Sequence, residues 1–171
     1  MAKNGTARSR SDFSKNLVGF TVGNVRYAVE IGAVSEIVNP MPTVELPHAP
    51  DVVAGVVEHR GEVVPIVDLR RRFALPPKAP DRRTKWVLVR THTGTVGLVV
   101  DSVTEVFGAG EDSKRGVPLL GKGDDLRGFS SVHKVGGELI FVIDVERVAA
   151  PAAEIDVAEA AARLRQEATP E

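Results

Sequence analysis

The chain has 171 residues, 22 Lys+Arg against 23 Asp+Glu, a formal charge of −1 and no cysteine. This length makes one domain or two small ones and buries about 70% of the unfolded chain's surface, so a core needs no metal or disulfide to hold it. The missing cysteine excludes disulfides, thiolate metal sites and a Cys nucleophile. The charge balance argues against a dedicated nucleic-acid binder, and no apolar run approaches the ~20 residues that span a bilayer.

Valine and isoleucine number 28 and 6, against 11 leucines. β-branched side chains are stiff at χ1 and suit a pleated, half-buried surface. With 16 Gly and 11 Pro as punctuation, short strands and turns are expected along most of the chain. Residues 1–15 are polar and aperiodic, without the apolar core of an export signal, and are expected to be a mobile tail. Strands are expected at Leu17–Val22 and Val25–Ile31, joined through the Gly23-Asn24 turn. In Val34-Ser-Glu-Ile37 the two apolar residues are expected to pack while Glu36 points outward. Further strands are expected at Val52–Val57 and Val63–Val67, followed by a helical turn, Leu69–Phe73, capped by Asp68. Pro76–Arg83 carries three prolines and is expected to be an extended, exposed linker. Strands resume at Trp86–Arg90 and Val96–Val100 around the Thr93-Gly94 turn, and again at Leu139–Ile143, before a second turn capped by Asp144. Residues 151–171 are rich in Ala, Glu and Arg, and a helix of about 12 residues is expected there, with Ile155, Ala158, Ala162 and Leu164 as its thin apolar stripe.

These elements repeat. Ala28–Val38 is similar to Gly97–Phe107, 69 residues later, and Gly61–Leu69 is similar to Gly137–Val145, 76 residues later. Both halves run in the order hairpin, V-[ST]-E-[IV], G-E-x4-[IV]-D-[LV], which makes Glu105 the counterpart of Glu36. Two copies of one β unit are therefore expected, each closing as a five-stranded barrel because closure removes exposed sheet edges.

Enzyme chemistry is sparse. Gly116–Gly123 nearly spells a P-loop but has Gly123 where the Mg²⁺-binding hydroxyl belongs, and Pro118 removes a backbone donor. His48, His59, His92 and His133 have no metal-ligand spacing, and no nucleophile elbow is present. Asp124-Asp125 reads as a solvated turn, and Asp68, Asp101 and Asp144 at strand ends read as caps. No catalytic residue, cofactor or metal is assigned. One basic run, Arg70, Arg71, Arg72, Lys78, Arg82, Arg83 and Lys85 with only Asp81 against it, reads as a solvated helix face plus linker, or as a patch for an acidic partner.

Phe20-Thr-Val-Gly, Tyr27-Ala-Val-Glu-Ile, Val34-Ser-Glu-Ile37, Leu46-Pro-His-Ala-Pro50, the block Gly55–Leu69 and Val96-Gly-Leu-Val-Val-Asp101 together resemble the CheW family of bacterial chemotaxis coupling proteins. The likeness covers roughly residues 16–150. It implies an all-β fold of two tandem five-stranded SH3-like β-barrels sharing a core, with short helical turns and a C-terminal helix. The expected division is a first barrel at about 16–75, a linker at about 76–83 and a second barrel at about 84–150, then a C-terminal helix or tail at 151–171. It also implies a non-enzymatic, cytoplasmic adaptor that joins the signalling tip of a chemoreceptor to the regulatory domain of a CheA-type histidine kinase, recruited to receptor clusters and docking with other CheW-like proteins. Carried over by position, Val34, Glu36 and Ile37 belong to the kinase-binding surface and Gly55, Arg60 and Gly61 to the receptor-binding region. Leu119 and Leu120 belong to a second barrel-to-barrel contact. Arg60 stands out because an Arg in a turn between two β segments has no core role and Arg is enriched at binding hot spots. The chain departs from the family at Glu58-His59, where Asn-Leu is common; a side chain that titrates near neutrality replaces an apolar one. The alternative is a small-barrel nucleic-acid binder, which needs aromatic residues displayed on a strand face for stacking.

Overall fold

The computed structural model describes residues 16–110, 113–115 and 128–168. In chain order the strands are β1 (Asn16–Val22), β2 (Val25–Glu30), β3 (Val34–Val38), β4 (Val53–His59), β5 (Glu62–Asp68), β6 (Lys85–Thr91), β7 (Gly94–Val100), β8 (Ser102–Gly108), the two-residue β9 (Lys114–Arg115), β10 (Phe129–Val135) and β11 (Glu138–Ile143). The helices are α1 (Leu69–Arg72), α2 (Val145–Ala149) and α3 (Val157–Ala168), with 3-10 turns at Ile31–Ala33 and Ala150–Glu154. All seven strands named from the sequence form; β3, β8, β9 and β10 add to them. Asp68 and Asp144 do cap the helical turns, accepting from the backbone N–H of Arg70 at 2.9 Å and of Arg147 at 3.2 Å.

The strands make a six-stranded sheet, ordered β8-β1-β2-β11-β10-β9, and a five-stranded sheet, ordered β3-β6-β7-β5-β4. Corresponding joints match. Ile66 lies opposite Gly97 across the parallel β5–β7 joint, and Val142 lies opposite Ala28 across the parallel β11–β2 joint. These are the same two repeat positions in each sheet. The internal repeat is therefore real at the level of register.

The two sheets do not coincide with the chain segments 16–75 and 84–150. Each copy keeps its hairpin in one sheet and sends its other strands to the other sheet: β1–β2 sits with β8, β10 and β11, and β6–β7 sits with β3, β4 and β5. The chain crosses between sheets at the Ile31–Ala33 turn and at Asp101. The exposed segment Pro76–Arg83 joins β5 and β6, both strands of the five-stranded sheet. The exchange has a physical cause. A hairpin needs only a two-residue turn, whereas a parallel partner requires a crossover, and here the other copy supplies it.

Three apolar clusters result. One joins the sheets and contains Phe20, Val29, Val56, Leu69, Val87, Leu98 and Val148. A second, with Val57, Val64, Ile66, Trp86 and Leu88, and a third, with Leu17, Ala28, Ile140 and Val142, lie on the other faces of the five- and six-stranded sheets. Central strands buried on both faces explain why β1 and β6 read as near-continuous apolar runs. Helix α3 packs on the shared cluster through Ala160 and Leu164; Ala158 and Ala162, assigned to its stripe from the sequence, are exposed. A residue's helical neighbours lie three and four positions away, and the Ala160–Leu164 pair satisfies that spacing.

Candidate partner-binding site

β3 and β4 are the two edges of the five-stranded sheet, yet their side chains meet. Glu36 on β3 accepts hydrogen bonds at Oε2 from Arg60 Nε and from His59 Nε2, both at 3.0 Å, and at Oε1 from Arg60 Nη2 at 2.9 Å. The sheet has curled far enough for its edges to be tied by one carboxylate. Arg60, first, and His59, second, hold the Glu36 carboxyl down at about 2. It is therefore ionised at neutral pH and can only accept, so His59 Nε2 carries the proton. Exposure is graded: 20% of the His59 side chain, 30% of Glu36 and 74% of Arg60 remain accessible. The guanidinium is presented outward on an anchored carboxylate.

The β4–β5 connection is a two-residue turn, Arg60-Gly61, with φ of 51° and 78°. A hairpin turn with both central residues left-handed favours Asn-Gly or Gly-Gly, because a side chain there strains the backbone. The corresponding β10–β11 turn is Gly136-Gly137, with φ of 58° and 83°. The same geometry is thus built with Gly in one copy and with Arg in the other.

The structure places the other expected residues as follows. Val34 is half-buried against the shared cluster. Glu36 and Val38 lie opposite Leu88 and Trp86, while an irregularity in β3 between Val34 and Glu36 leaves Val34 on the face of the shared cluster; Glu36 is half-buried and Ile37 is exposed. This corrects the expectation that Ile37 packs and Glu36 points outward: His59 and Arg60 draw the Glu36 side chain toward the β4 edge, and Ile37 is left exposed. Gly55 is buried, and a Cβ there would stand 2.7 Å from the Val44 carbonyl oxygen. Its glycine serves the approach of residue 44, which bridges to Val56 along the β4 edge. Leu119 and Leu120, the P-loop-like stretch and Asp124-Asp125 lie outside the described residues.

The basic run is largely engaged in the fold. Arg70 grips Asp101 through Nε at 2.9 Å and Nη2 at 2.6 Å, and donates to the Pro76 carbonyl at 2.8 Å. Arg71 donates to the Asp51 carbonyl, Lys78 pairs with Asp81, and Lys85 donates to Asn39. Asp101 also accepts from the Gly23 N–H at 2.8 Å. Burial pushes the Asp101 carboxyl up, but the bonds from Arg70 and Gly23 outweigh it and hold it below the usual carboxylate range. The charge pattern in the sequence did not reveal that Asp101 fastens the crossover to the first hairpin turn. Its counterpart in the other copy is Gly32.

Among the described residues, no three His, Asp or Glu side chains are grouped to hold a metal, and no helix is long and apolar enough to cross a membrane. Phe20, Tyr27 and Trp86, which a stacking platform would display, are core residues. The nucleic-acid alternative gains no support from them.

The CheW-like domain family matches residues 16–152. The chemotaxis protein CheW of Rhizobium meliloti (strain 1021) is 30% identical over 143 residues, covering 83% of this chain and 92% of that protein. The chemotaxis protein CheW of Helicobacter pylori is 27% identical over 148 residues, covering 86% and 88%. The crystal structure of the scaffolding protein TtCheW from Thermoanaerobacter tengcongensis is similar at a TM-score of 0.70 and 25% identity, covering 76% of this chain and 88% of that one.

Proposed function

This chain belongs to the CheW-like domain family and is a chemotaxis coupling adaptor; we propose that it joins a chemoreceptor's cytoplasmic tip to the regulatory domain of a CheA-type histidine kinase. The single observation that carries the site assignment is Arg60. A non-glycine residue occupies a left-handed turn position that the other copy fills with Gly136. Strain of this kind persists where surrounding contacts over-determine it, and it concentrates at functional sites. Here the fork on Glu36 over-determines it, leaving an exposed guanidinium suited to a planar acceptor on a partner.

Arg60 and Gly61 form the receptor-facing tip, and buried Gly55 supports it from within β4. The kinase-facing surface is β3, with Ile37 as its exposed apolar contact, Val34 as its footing and Glu36 as the link to the tip. The two surfaces therefore share one carboxylate, and a load on either is felt at the other. Leu119 and Leu120 are proposed for contact with other CheW-like barrels. Adaptor work of this sort needs no cofactor and no bond-making step.

Substituting Arg60→Gly tests the assignment while keeping the turn that the other copy uses. The variant is expected to melt no lower than the parent and to bind a chemoreceptor tip fragment about five- to thirtyfold more weakly in calorimetric titration. An unchanged receptor affinity would remove Arg60 from the receptor site.

A further inference from the structure

We propose that His59 is a positioning residue for Arg60: it fixes the Glu36 carboxylate on which the guanidinium is seated. This rests on the reading of Arg60 as the receptor contact. At the corresponding position of the other copy stands Val135, packed against the apolar cluster of the six-stranded sheet. An apolar residue is thus what this position accommodates when it has only packing to do, and an imidazole there calls for another explanation.

Geometry supplies it. His59 is the last residue of β4 and lies opposite Glu62 in regular antiparallel register, so its backbone is fixed where the turn begins. Its side chain is the least exposed of the three, and its Nε2 reaches Glu36 Oε2, the same oxygen that accepts Arg60 Nε. An ion pair with most of its Arg exposed is weakly held by itself. The terminal torsion of a glutamate is also broad, so a lone carboxylate turns readily. A third donor from a fixed strand end removes that freedom. Two oxygens then present a set plane to the Arg60 fork, and the guanidinium points one way. Charge-assisted bonds of this kind are the stronger and more directional ones.

The test uses the whole chain with His59→Val, the residue of the other copy, and His59→Gln, whose amide N–H reaches roughly the place of Nε2. One readout is the Arg60 Nε–H resonance in ¹⁵N NMR, assigned by its disappearance in Arg60→Gly; the other is affinity for a chemoreceptor tip fragment. His59→Val is expected to send that resonance to the position of freely exposed arginines and to weaken binding about three- to tenfold. His59→Gln is expected to restore both. The proposal is overturned if His59→Val leaves the Arg60 resonance in place, or if a folded His59→Gln behaves as the Val variant does. If Arg60→Gly leaves receptor affinity unchanged, the receptor reading falls, and the Nε–H resonance alone decides the role of His59.

Discussion

Equivalent positions in the two copies share backbone geometry and differ in chemistry. At the tip of the second hairpin of each copy, copy one has Arg60-Gly61 where copy two has Gly136-Gly137. On the edge strands, Glu36 is bound by the opposite edge of its own sheet. Glu105 is instead held by Arg26 of β2, which also holds Glu138 of β11. Two residues after the helix-capping Asp, copy one has Arg70 gripping Asp101, and copy two has Glu146 gripping His92. The fold tolerates both sets. What differs between equal backbones is therefore free to be function or local fastening, and the comparison separates the two.

The interiors of the two sheets provide the sharpest test of equivalence. Gly97 and Ala28 occupy matching sites, and a Cβ on Gly97 would stand 2.6 Å from Ile66 Cδ1 and 3.2 Å from Leu88 Cδ2. Overpacking a rigid site costs about 1–3 kcal/mol, and a β-branched side chain lies at the upper end. Gly97→Val is expected to lose about 3 kcal/mol in urea unfolding. Ala28→Gly, which removes one buried methyl and adds chain entropy, is expected to lose about 1–2 kcal/mol. Equal losses would mean that the two interiors are not packed as differently as their residues indicate.

Next in size is the fastening of the crossover. Asp101 and Arg70 are only 16% and 18% exposed, so removing either leaves a partly buried charge and, for Asp101, an unpaired Gly23 N–H. Full burial of such an orphan costs about 3–5 kcal/mol; with this much access to water, Asp101→Ala is expected to lose about 2 kcal/mol. Because the folded carboxyl lies below its unfolded value of ~3.9, this contribution is present above that value and lost as the pH falls through the folded one. Unfolding midpoints of parent and variant should converge once the pH has fallen through the folded value. Parallel curves down to that pH would show that Asp101 acts otherwise.

Much of this was legible beforehand, for reasons that can be named. Turn glycines, capping Asp68 and Asp144 and β-branched runs are local signals, and they marked the strands and helical turns. The repeat spacing revealed the two copies. Which strand pairs with which is not local: the exchange of β3, β4 and β5 with β8, β10 and β11 leaves no trace in composition, because the two copies carry the same kinds of strand and crossing in either arrangement. The direction of Glu36 was misjudged for a related reason. Its inward partner, His59, is 23 residues away and reaches it only because the sheet curls. A signal did exist, since the imidazole stands where the repeat has Val135, but its meaning required the edges to be brought together.

The edge-strand glutamates divide function from fold. Reversing Glu36 to Arg places three cationic or donor side chains at one point and releases Arg60. Receptor and kinase-domain binding are expected to weaken together by about tenfold. Glu105→Arg breaks only the Arg26 contact and is expected to change either affinity by less than about twofold. Both variants alter net charge equally, so steering by overall charge predicts equal effects. Parallel titrations against both partners decide between these outcomes, and receptor binding that survives Glu36→Arg would show that Arg60 needs no carboxylate beneath it.

The smallest expected effect lies at Glu146, the counterpart of Arg70. Its carboxylate accepts from the His92 backbone N–H at 2.9 Å and contacts His92 Nδ1, tying the β6–β7 turn to α2. The resemblance to the Arg70–Asp101 fastening is close in topology and remote in environment: the His92 and Glu146 side chains are 77% and 48% exposed. Water solvates either group when its partner is lost, so nothing is left buried and unpaired. Exposed pairs contribute about 0–1 kcal/mol and are screened by salt. Glu146→Ala is therefore expected to lose no more than about 0.5 kcal/mol, and less in 0.5 M salt (about one Debye length of 4 Å). If urea titrations showed Glu146→Ala as costly as Asp101→Ala, connectivity between hairpin turn and helix would matter more than burial. The two fastenings would then be equivalent in energy as well as in position.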